Sequence, residues 1–468
     1  MLDLLLKNGI IITVDREHHI YEHGYLGIEK DKIACIGSMD TDILPEAKKV
    51  IDLEGKPILP GLVDGHGHAG HGMTKTIAEH TNDWETVAES IYYLYSDEEF
   101  WYVEGALSAM ERLKFGVTSA VSMVGNTPRI DRIWPIKSHM EGSLSTGIRQ
   151  YSGIGTANDP WPKRARTYHK DGSYEEYEVT PEEAFRTTEE AVRELNGIHP
   201  RGTCIVAPGR MGKRPWCSDE ENIRHNLEMY RIAGTYRQPI HTHAYGGDVK
   251  FLYEHTPEIL DYHLSLTHST RYSEEELDIL SRVNAYVFHG PTTHAHIIGR
   301  CPVYRMLEKG VHVAVITDGS APDRSFDLWR DMKNVQISQR TLESDYGVLP
   351  CGKVLEMVTI EPARALGIDH LVGSLETGKK ADIIRVNTWQ PHLTPFVKMP
   401  LQRLVQYAMG EDVDLVIVDG EIMMEGRTLT KVDERSILLR ANEIFEKVIE
   451  DTGRKDILEN PRLYDIRQ

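Results

Sequence analysis

The chain has 468 residues, 40% hydrophobic and 27% charged, a composition ordinary for a globular protein and a length sufficient for one large barrel plus a smaller domain. The formal net charge of -19 at pH 7 argues against nucleic acid or an anionic membrane as partner, because basic surfaces bind both. No apolar run reaches the length of a bilayer span, Met1 to Lys7 lacks the features of a signal peptide, and Cys35, Cys204, Cys217, Cys301 and Cys351 form no Cys-x-x-Cys, which together predict a cytoplasmic protein with reduced thiols.

Residues 1–57 read as short strands and turns, the first part of a small β-sandwich. Leu4-Leu5-Leu6 and Ile10-Ile11-Ile12 flank Asn8-Gly9, and Tyr25 to Ile28 and Ile33 to Gly37 flank a polar turn at Glu29 to Lys32, both as hairpins. From about residue 58 to 370, apolar strand-like runs alternate with helical stretches, the pattern of a (β/α)8 barrel inserted into that sandwich. The predicted barrel strands are 58–66, 117–122, 147–151, 204–207, 239–243, 264–268, 285–289 and 311–318. A helix is expected from Asp219 to Ala233, with Ser218 as its cap and Gly234 beyond its end. The polar, Tyr-rich insertion 156–201 is placed over the barrel mouth. Residues 371–430 return to strands and complete the sandwich, and the tail 431–468 has helical apolar spacing at Ile437, Leu438, Ala441, Ile444, Phe445, Val448 and Ile449.

Chemistry in such a barrel collects at the C-terminal ends of the strands. The run Ile58 to His68 ends in two histidines one residue apart, which share a face of an extended strand. Later strand ends add His243, His268, His289 and Asp318. Three imidazoles and one carboxylate suit zinc or another divalent transition metal with a position left for water, and Asp318 can both touch the metal and accept that water's proton. Duller readings exist for each: His268 and His289 as strand-end residues bonded to backbone, Asp318 as a turn residue. His241 lies two residues before His243 and exchanges with it if the register slips. His71, His294 and His296 read as pocket or loop residues.

Pro60-Gly61-Leu62-Val63-Asp64-Gly65-His66-Gly67-His68, the histidines of strands five and six, Thr317-Asp318-Gly319 and Gly373 to Asp382 together resemble the metal-dependent amidohydrolase superfamily. The branch of similarity holds triazine hydrolases, cytosine and guanine deaminases, and phenylurea and thiocarbamate hydrolases. The resemblance implies His66, His68, His243 and Asp318 as ligands of one metal, zinc first, with iron, cobalt or manganese compatible. It implies His268 as the residue that orients or deprotonates the attacking water or polarises the scissile group, and it implies self-association into a homo-oligomer.

Two departures shape the expectation. The deaminases of this branch carry His-x-x-Glu on strand five, where this chain has His243-Ala244-Tyr245-Gly246; the seventh-strand motif ends in His294 where Asn is usual. No strand-end lysine follows Ala207, and Lys213 lies beyond a Pro-Gly turn, so a mononuclear site is expected. The reading is a hydrolase of a non-peptide C–N bond in a small amide, urea or carbamate. Asp318 moves the proton, His268 steadies the oxyanion, and the space freed by the missing Glu holds part of the substrate. Trp84, Tyr151, Arg210, Tyr245, His289, His294 and Asp323 are the candidate pocket residues. The rivals are an aminohydrolase of a heteroaromatic ring (a purine, pyrimidine or triazine) and a non-catalytic barrel that binds without reacting.

Overall fold

The computed structural model describes residues 1–77, 84–124, 129–169, 171–295, 299–396, 398–458 and 464; of 84–86, 88, 89, 294 and 295 it describes the backbone alone. Eight parallel strands make one sheet in chain order: Leu62–Asp64, Val117–Met123, Arg149–Ile154, Gly202–Val206, Ile240–Tyr245, Leu264–Thr270, Tyr286–His289 and His312–Val315. Most of their residues are buried, as expected for strands covered by helices outside and by side chains within.

The predicted first strand, 58–66, divides between two sheets. Pro57–Pro60 pairs parallel with Leu2–Ile12 and antiparallel with Ile383–Val386, whereas Leu62–Asp64 pairs with Val117–Met123. The break falls at Gly61, where a Cβ would lie 2.2 Å from Thr118 Oγ1. Only a residue without a side chain lets the chain pass that close to the second barrel strand.

The terminal segments form a nine-stranded sheet that forks at Leu2–Ile12. That strand pairs with Ile20–Glu29 on one edge, and on the other with Ala47–Asp52 along its first half and Pro57–Pro60 along its second. The chain after the barrel adds Ile383–Val386, Val413–Val418 and Glu421–Glu425 to the same sheet. Leu4, Leu6, Ile11, Leu26, Ile58, Ile383 and Leu415 fill a shared core on one face.

Asn8-Gly9 is not a hairpin turn. Leu2–Ile12 runs through as one strand with a register shift there, because Asn8 alone takes the left-handed conformation (φ 59) and Gly9 packs where a Cβ would meet Leu53. A two-residue hairpin needs a reversal over two such residues; one gives a bulge. The hairpin at Glu29 to Lys32 is present.

The insertion 156–201 contains the hairpin Lys163–Tyr168 and Tyr174–Val179 and the helix Pro181–Leu195. Its Tyr168 hydroxyl donates to the Leu94 carbonyl, at the end of helix Trp84–Leu94. The helix expected to stop before Gly234 runs on to Tyr236, with Arg237 in the left-handed cap conformation, and the stretch between the returning strands holds an unpredicted helix, Pro400–Tyr407. The tail helix is Glu434–Thr452, capped by Asp433 and ended by Gly453. No helix among the described residues is long and apolar enough to cross a membrane.

The shared core predicts the effect of truncation. Deleting residues 1–50 removes Leu2–Ile12, one of the two partner strands of Pro57–Pro60, and bares Ile58 and Ile383 in the shared core; the expected result is aggregation or a large loss of melting temperature. A soluble truncation with an unchanged thermal transition would show that the two segments contribute nothing to each other's stability.

Candidate metal centre

The site begins with a buried carboxylate two residues before the first histidine. Asp64 accepts from Arg112 Nε at 3.1 Å and from the Thr317 amide and hydroxyl at 3.1 and 2.7 Å. Arg112 also donates to Ser122 and lies 3.8 Å over the Phe326 ring. The Asp318 amide donates to the His66 carbonyl at 3.2 Å. These contacts fasten the end of the first strand to that of the eighth and set His66 and His68 against Asp318.

Four donor atoms converge there. Asp318 Oδ1 lies 3.3 Å from His66 Nε2 and 3.2 Å from His68 Nε2, and His68 Nε2 lies 3.3 Å from His243 Nε2. His243 Nδ1–H donates to the Gly209 carbonyl at 2.7 Å, which leaves Nε2 as a lone pair facing inward. His66 Nδ1 sits 2.5 Å from His241 Nε2; with the shared proton on His66, its own Nε2 is also a bare lone pair, buried and without a hydrogen-bond partner. The inward lone pairs of His66 and His243 and the Asp318 oxygen, packed this closely around His68 Nε2, repel one another unless a cation lies between them, so these residues fit a divalent metal of the three-nitrogen, one-oxygen type.

The electrostatics agree with that fit. Burial pushes the imidazoles down, His243 to about 4 and His241 to about 3, and holds His66 and His268 well below the ordinary value of 6.5, so all four rings are neutral near pH 7. Burial alone would raise Asp318, but the Arg324 guanidinium holds it well below the usual carboxylate range.

The rings stack in a column. His71 lies against His68 (centroids 4.8 Å, 19° between planes), His68 against His243 (5.2 Å, 18°), His243 against His268 (4.9 Å, 6°) and His268 against Tyr245 (5.7 Å, 20°). The Arg210 guanidinium lies over the Tyr245 ring at 5.0 Å and forms two hydrogen bonds of 3.0 Å to buried Asp248. Backbone conformation turns sharply at two strand ends: His268 and Asp318 have φ of 72° and 63°, in the left-handed region that non-glycine residues adopt uncommonly.

Of the residues expected from sequence, the structure therefore gathers His66, His68, His243, His268 and Asp318, with Tyr245 and Arg210 in the next layer. His289 is buried at the end of the seventh strand, paired in register with Val315. His241 lies on the same strand face as His243 but deeper, bonded to His66 and Thr267. Tyr151 is elsewhere. It packs with Val63, Val121, Ile205 and Val372 near Arg149 and Asp382, in the floor of the barrel, because it lies near the start of its strand and not at its end. Asp323 is exposed in the loop after the eighth strand. The side chains of Trp84 and His294 lie outside the described residues.

Sequence reading missed Arg112 and Arg324. Arg324 Nη2 lies 3.9 Å from Asp318 Oδ2, its Nε donates to the Gly319 carbonyl at 2.8 Å, and Nη2 also donates to the Ala321 carbonyl. Neither arginine sits in a periodic pattern that would mark it. His71, read from sequence as a pocket or loop residue, packs so tightly that a Cβ on Gly319 would lie 1.8 Å from its Nδ1, which explains the glycine of Thr317-Asp318-Gly319.

A model of the amidohydrolase family matches residues 58–423. The 5'-deoxyadenosine deaminase of Methanosarcina acetivorans is 27% identical over 462 residues, covering 96% of this chain and 99% of that protein. The 5-methylthioadenosine/S-adenosylhomocysteine deaminase of Desulforudis audaxviator is 28% identical over 472 residues, covering 96% and 99%. Among solved structures, an adenosine deaminase from Xanthomonas campestris with bound zinc superposes with a TM-score of 0.78 at 18% identity, over 96% of this chain and 99% of that one. The atrazine chlorohydrolase of Arthrobacter aurescens TC1 complexed with zinc gives a TM-score of 0.76 at 18% identity, over 94% and 100%.

The buried neutral rings predict acid sensitivity. In the unfolded chain an imidazole takes up its proton near 6.5, whereas folded His243 resists until about 4, so the unfolded state binds more protons in that window and stability falls as pH falls through it. The metal-free protein should lose melting temperature between pH 7 and pH 5 in calorimetry. A transition that stays level over that range would mean that the rings titrate freely.

Proposed function

This chain belongs to the amidohydrolase family, and we propose that it is a mononuclear enzyme that hydrolyses the C–N bond of a small, neutral amide, urea or carbamate, with zinc as the preferred ion. A divalent ion held by His66, His68, His243 and Asp318 would supply Lewis acidity to water and to a substrate carbonyl. The other steps fall to the chain's own groups. Asp318, kept ionised beside Arg324, accepts the proton of the attacking water and returns it to the leaving nitrogen. His268, kept neutral and stacked on His243, donates an N–H to the oxygen that gains charge. Tyr245 and Arg210 hold the outer face of that ring.

The observation that carries the choice of carbonyl over ring amine is Gly246. It occupies the place of the glutamate that shuttles protons in the deaminases that the sequence resembles. A Cβ at Gly246 would lie 2.3 Å from the Arg271 carbonyl oxygen, and the Gly246 amide donates to Thr270 at 2.9 Å. The expectation that the missing side chain frees space for substrate is thus corrected: the backbone of the sixth strand's exit fills it. Ring deamination needs a general acid within hydrogen-bond reach of the ring nitrogen, and this position has none to give. A second reading, deamination of an adenine nucleoside, draws on the full-length similarity to the 5'-deoxyadenosine and methylthioadenosine deaminases; it requires another residue to take the glutamate's part.

A substrate panel on the zinc-loaded protein separates the two. Amine release from aryl ureas, carbamates and anilides should exceed ammonia release from 5'-deoxyadenosine and 5'-methylthioadenosine by about 100-fold or more, the usual contribution of a positioned acid or base. Efficient ammonia release from either nucleoside would replace the first reading with the second. Gly246→Ala should lower stability by about 1–3 kcal/mol, because a methyl group cannot enter without moving backbone. An unchanged melting temperature would show that Arg271 yields easily.

A further inference from the structure

The deeper histidine of the fifth strand is bonded to a candidate metal ligand. His241 and His243 leave strand Ile240–Tyr245 on the same face, with His241 two residues further into the barrel. His241 stands opposite Ser265 in register, is 1% exposed and lies against the Phe288 ring (centroids 5.3 Å, 41° between planes). Its Nε2 faces two neighbours, His66 Nδ1 at 2.5 Å and Thr267 Oγ1 at 3.2 Å. Its Nδ1 is buried and has no hydrogen-bond partner among the described residues, so the ring bonds through one edge, the edge that faces His66.

Two nitrogens 2.5 Å apart share one proton, and its place decides what His66 can do. With the proton on His241 Nε2, His66 Nδ1 is the acceptor, and a neutral His66 then carries its hydrogen on Nε2. That nitrogen lies 3.3 Å from Asp318 Oδ1, where the donor atoms converge, and a nitrogen that bears hydrogen binds no cation. With the proton on His66 Nδ1, Nε2 is a lone pair and ligation is open. A ligand histidine therefore needs an acceptor behind it, which fixes its tautomer and the angle of its ring. His243 has one in the Gly209 carbonyl, a group that only accepts. His66 has another imidazole, which takes either role. The Thr267 hydroxyl can donate to the same His241 nitrogen and so supports the accepting role.

We propose that His241 is a positioning residue of the metal centre: by accepting the His66 Nδ1–H it holds His66 in the tautomer and orientation that present Nε2 to the ion. It acts through His66, from a depth at which it meets Phe288 and Thr267 and not the converging donor atoms. The inference rests on the ligand set His66, His68, His243 and Asp318, and it is independent of which C–N bond the enzyme cleaves.

The test is made on the full-length chain with two readouts: zinc affinity, by competition with a chromophoric chelator, and the visible absorption of the cobalt-loaded protein. His241→Leu removes the acceptor; zinc binding should weaken about 10- to 100-fold and the cobalt bands should change, while the metal-free protein keeps its circular dichroism. His241→Gln, whose amide oxygen reaches near the place of Nε2, should bind zinc at least about tenfold more tightly than His241→Leu and restore the original bands. If His241→Leu does not fold, His241→Met, as apolar and longer, takes its place. His68→Ala is the control for the ligand set and should hold no stoichiometric metal. Unchanged zinc affinity and cobalt bands in His241→Leu, with His68→Ala free of metal, would overturn the role of His241 and leave the ligand set standing. So would equal weakening by His241→Leu and His241→Gln, which would mark packing alone as the cause. Retention of metal by His68→Ala would overturn the ligand set and, with it, this inference.

Discussion

The barrel depends on one buried carboxylate. Its ladder of strand hydrogen bonds runs from the eighth strand back to the first, with no ladder between those two ends among the described residues. Asp64 spans the gap by accepting both the amide and the hydroxyl of Thr317, and Arg112 supplies the charge that makes its burial tolerable. Burial still pushes the Asp64 carboxyl up against the pull of Arg112 and Thr317. A buried ion pair of this kind contributes less to net stability than to geometry, because desolvation offsets most of the attraction. Its effect here is positional: it brings the first strand's histidines to the eighth strand's aspartate.

The rest of the site follows from that closure. Once His66 and His68 face Asp318, the column of rings from His71 to Tyr245 has one edge fixed, and each successive ring is held by its neighbour's face. His71, His243 and His268 are kept neutral by burial, so these rings stack without mutual charge. Rotations of His243 and His268 are opposed by hydrogen bonding to Gly209 on one side and by the covered face of Tyr245 on the other. The cost of the left-handed backbone at His268 and Asp318, of order 1–3 kcal/mol each, is one that the surrounding packing sustains.

Similarity and local chemistry point in different directions at Gly246. Full-length relatives are named as 5'-deoxyadenosine and 5-methylthioadenosine/S-adenosylhomocysteine deaminases, while the strand-five exit in this chain is Gly246, whose Cβ would meet the Arg271 carbonyl. A missing side chain leaves open whether the space is used; the Arg271 carbonyl against Gly246 closes that question locally. Under the proposed reading the histidine cluster and Gly246 are compatible, because polarising a carbonyl asks less of the protein than protonating a ring.

The alternation of strands and helices, the histidines at strand ends and the terminal helix were legible in sequence, because each depends on short-range period: two for a strand, 3.6 for a helix. The fate of residues 58–66 was not, since an apolar run has the same period in either sheet and only the close approach of Thr118 to Gly61 divides it. Nor could period separate His241 from His243, which share a face; height along the barrel sets their partners. The chain alone determined which residue types stand at the strand ends and that a glycine replaces the deaminase glutamate. Tertiary structure decided that Arg112 and Arg324 lie against Asp64 and Asp318, that Tyr151 packs among Val63, Val121 and Ile205, and that the space at Gly246 is filled. Those outcomes rest on contacts between residues far apart in sequence, such as 64 with 112 and 317, and no local pattern encodes such distances.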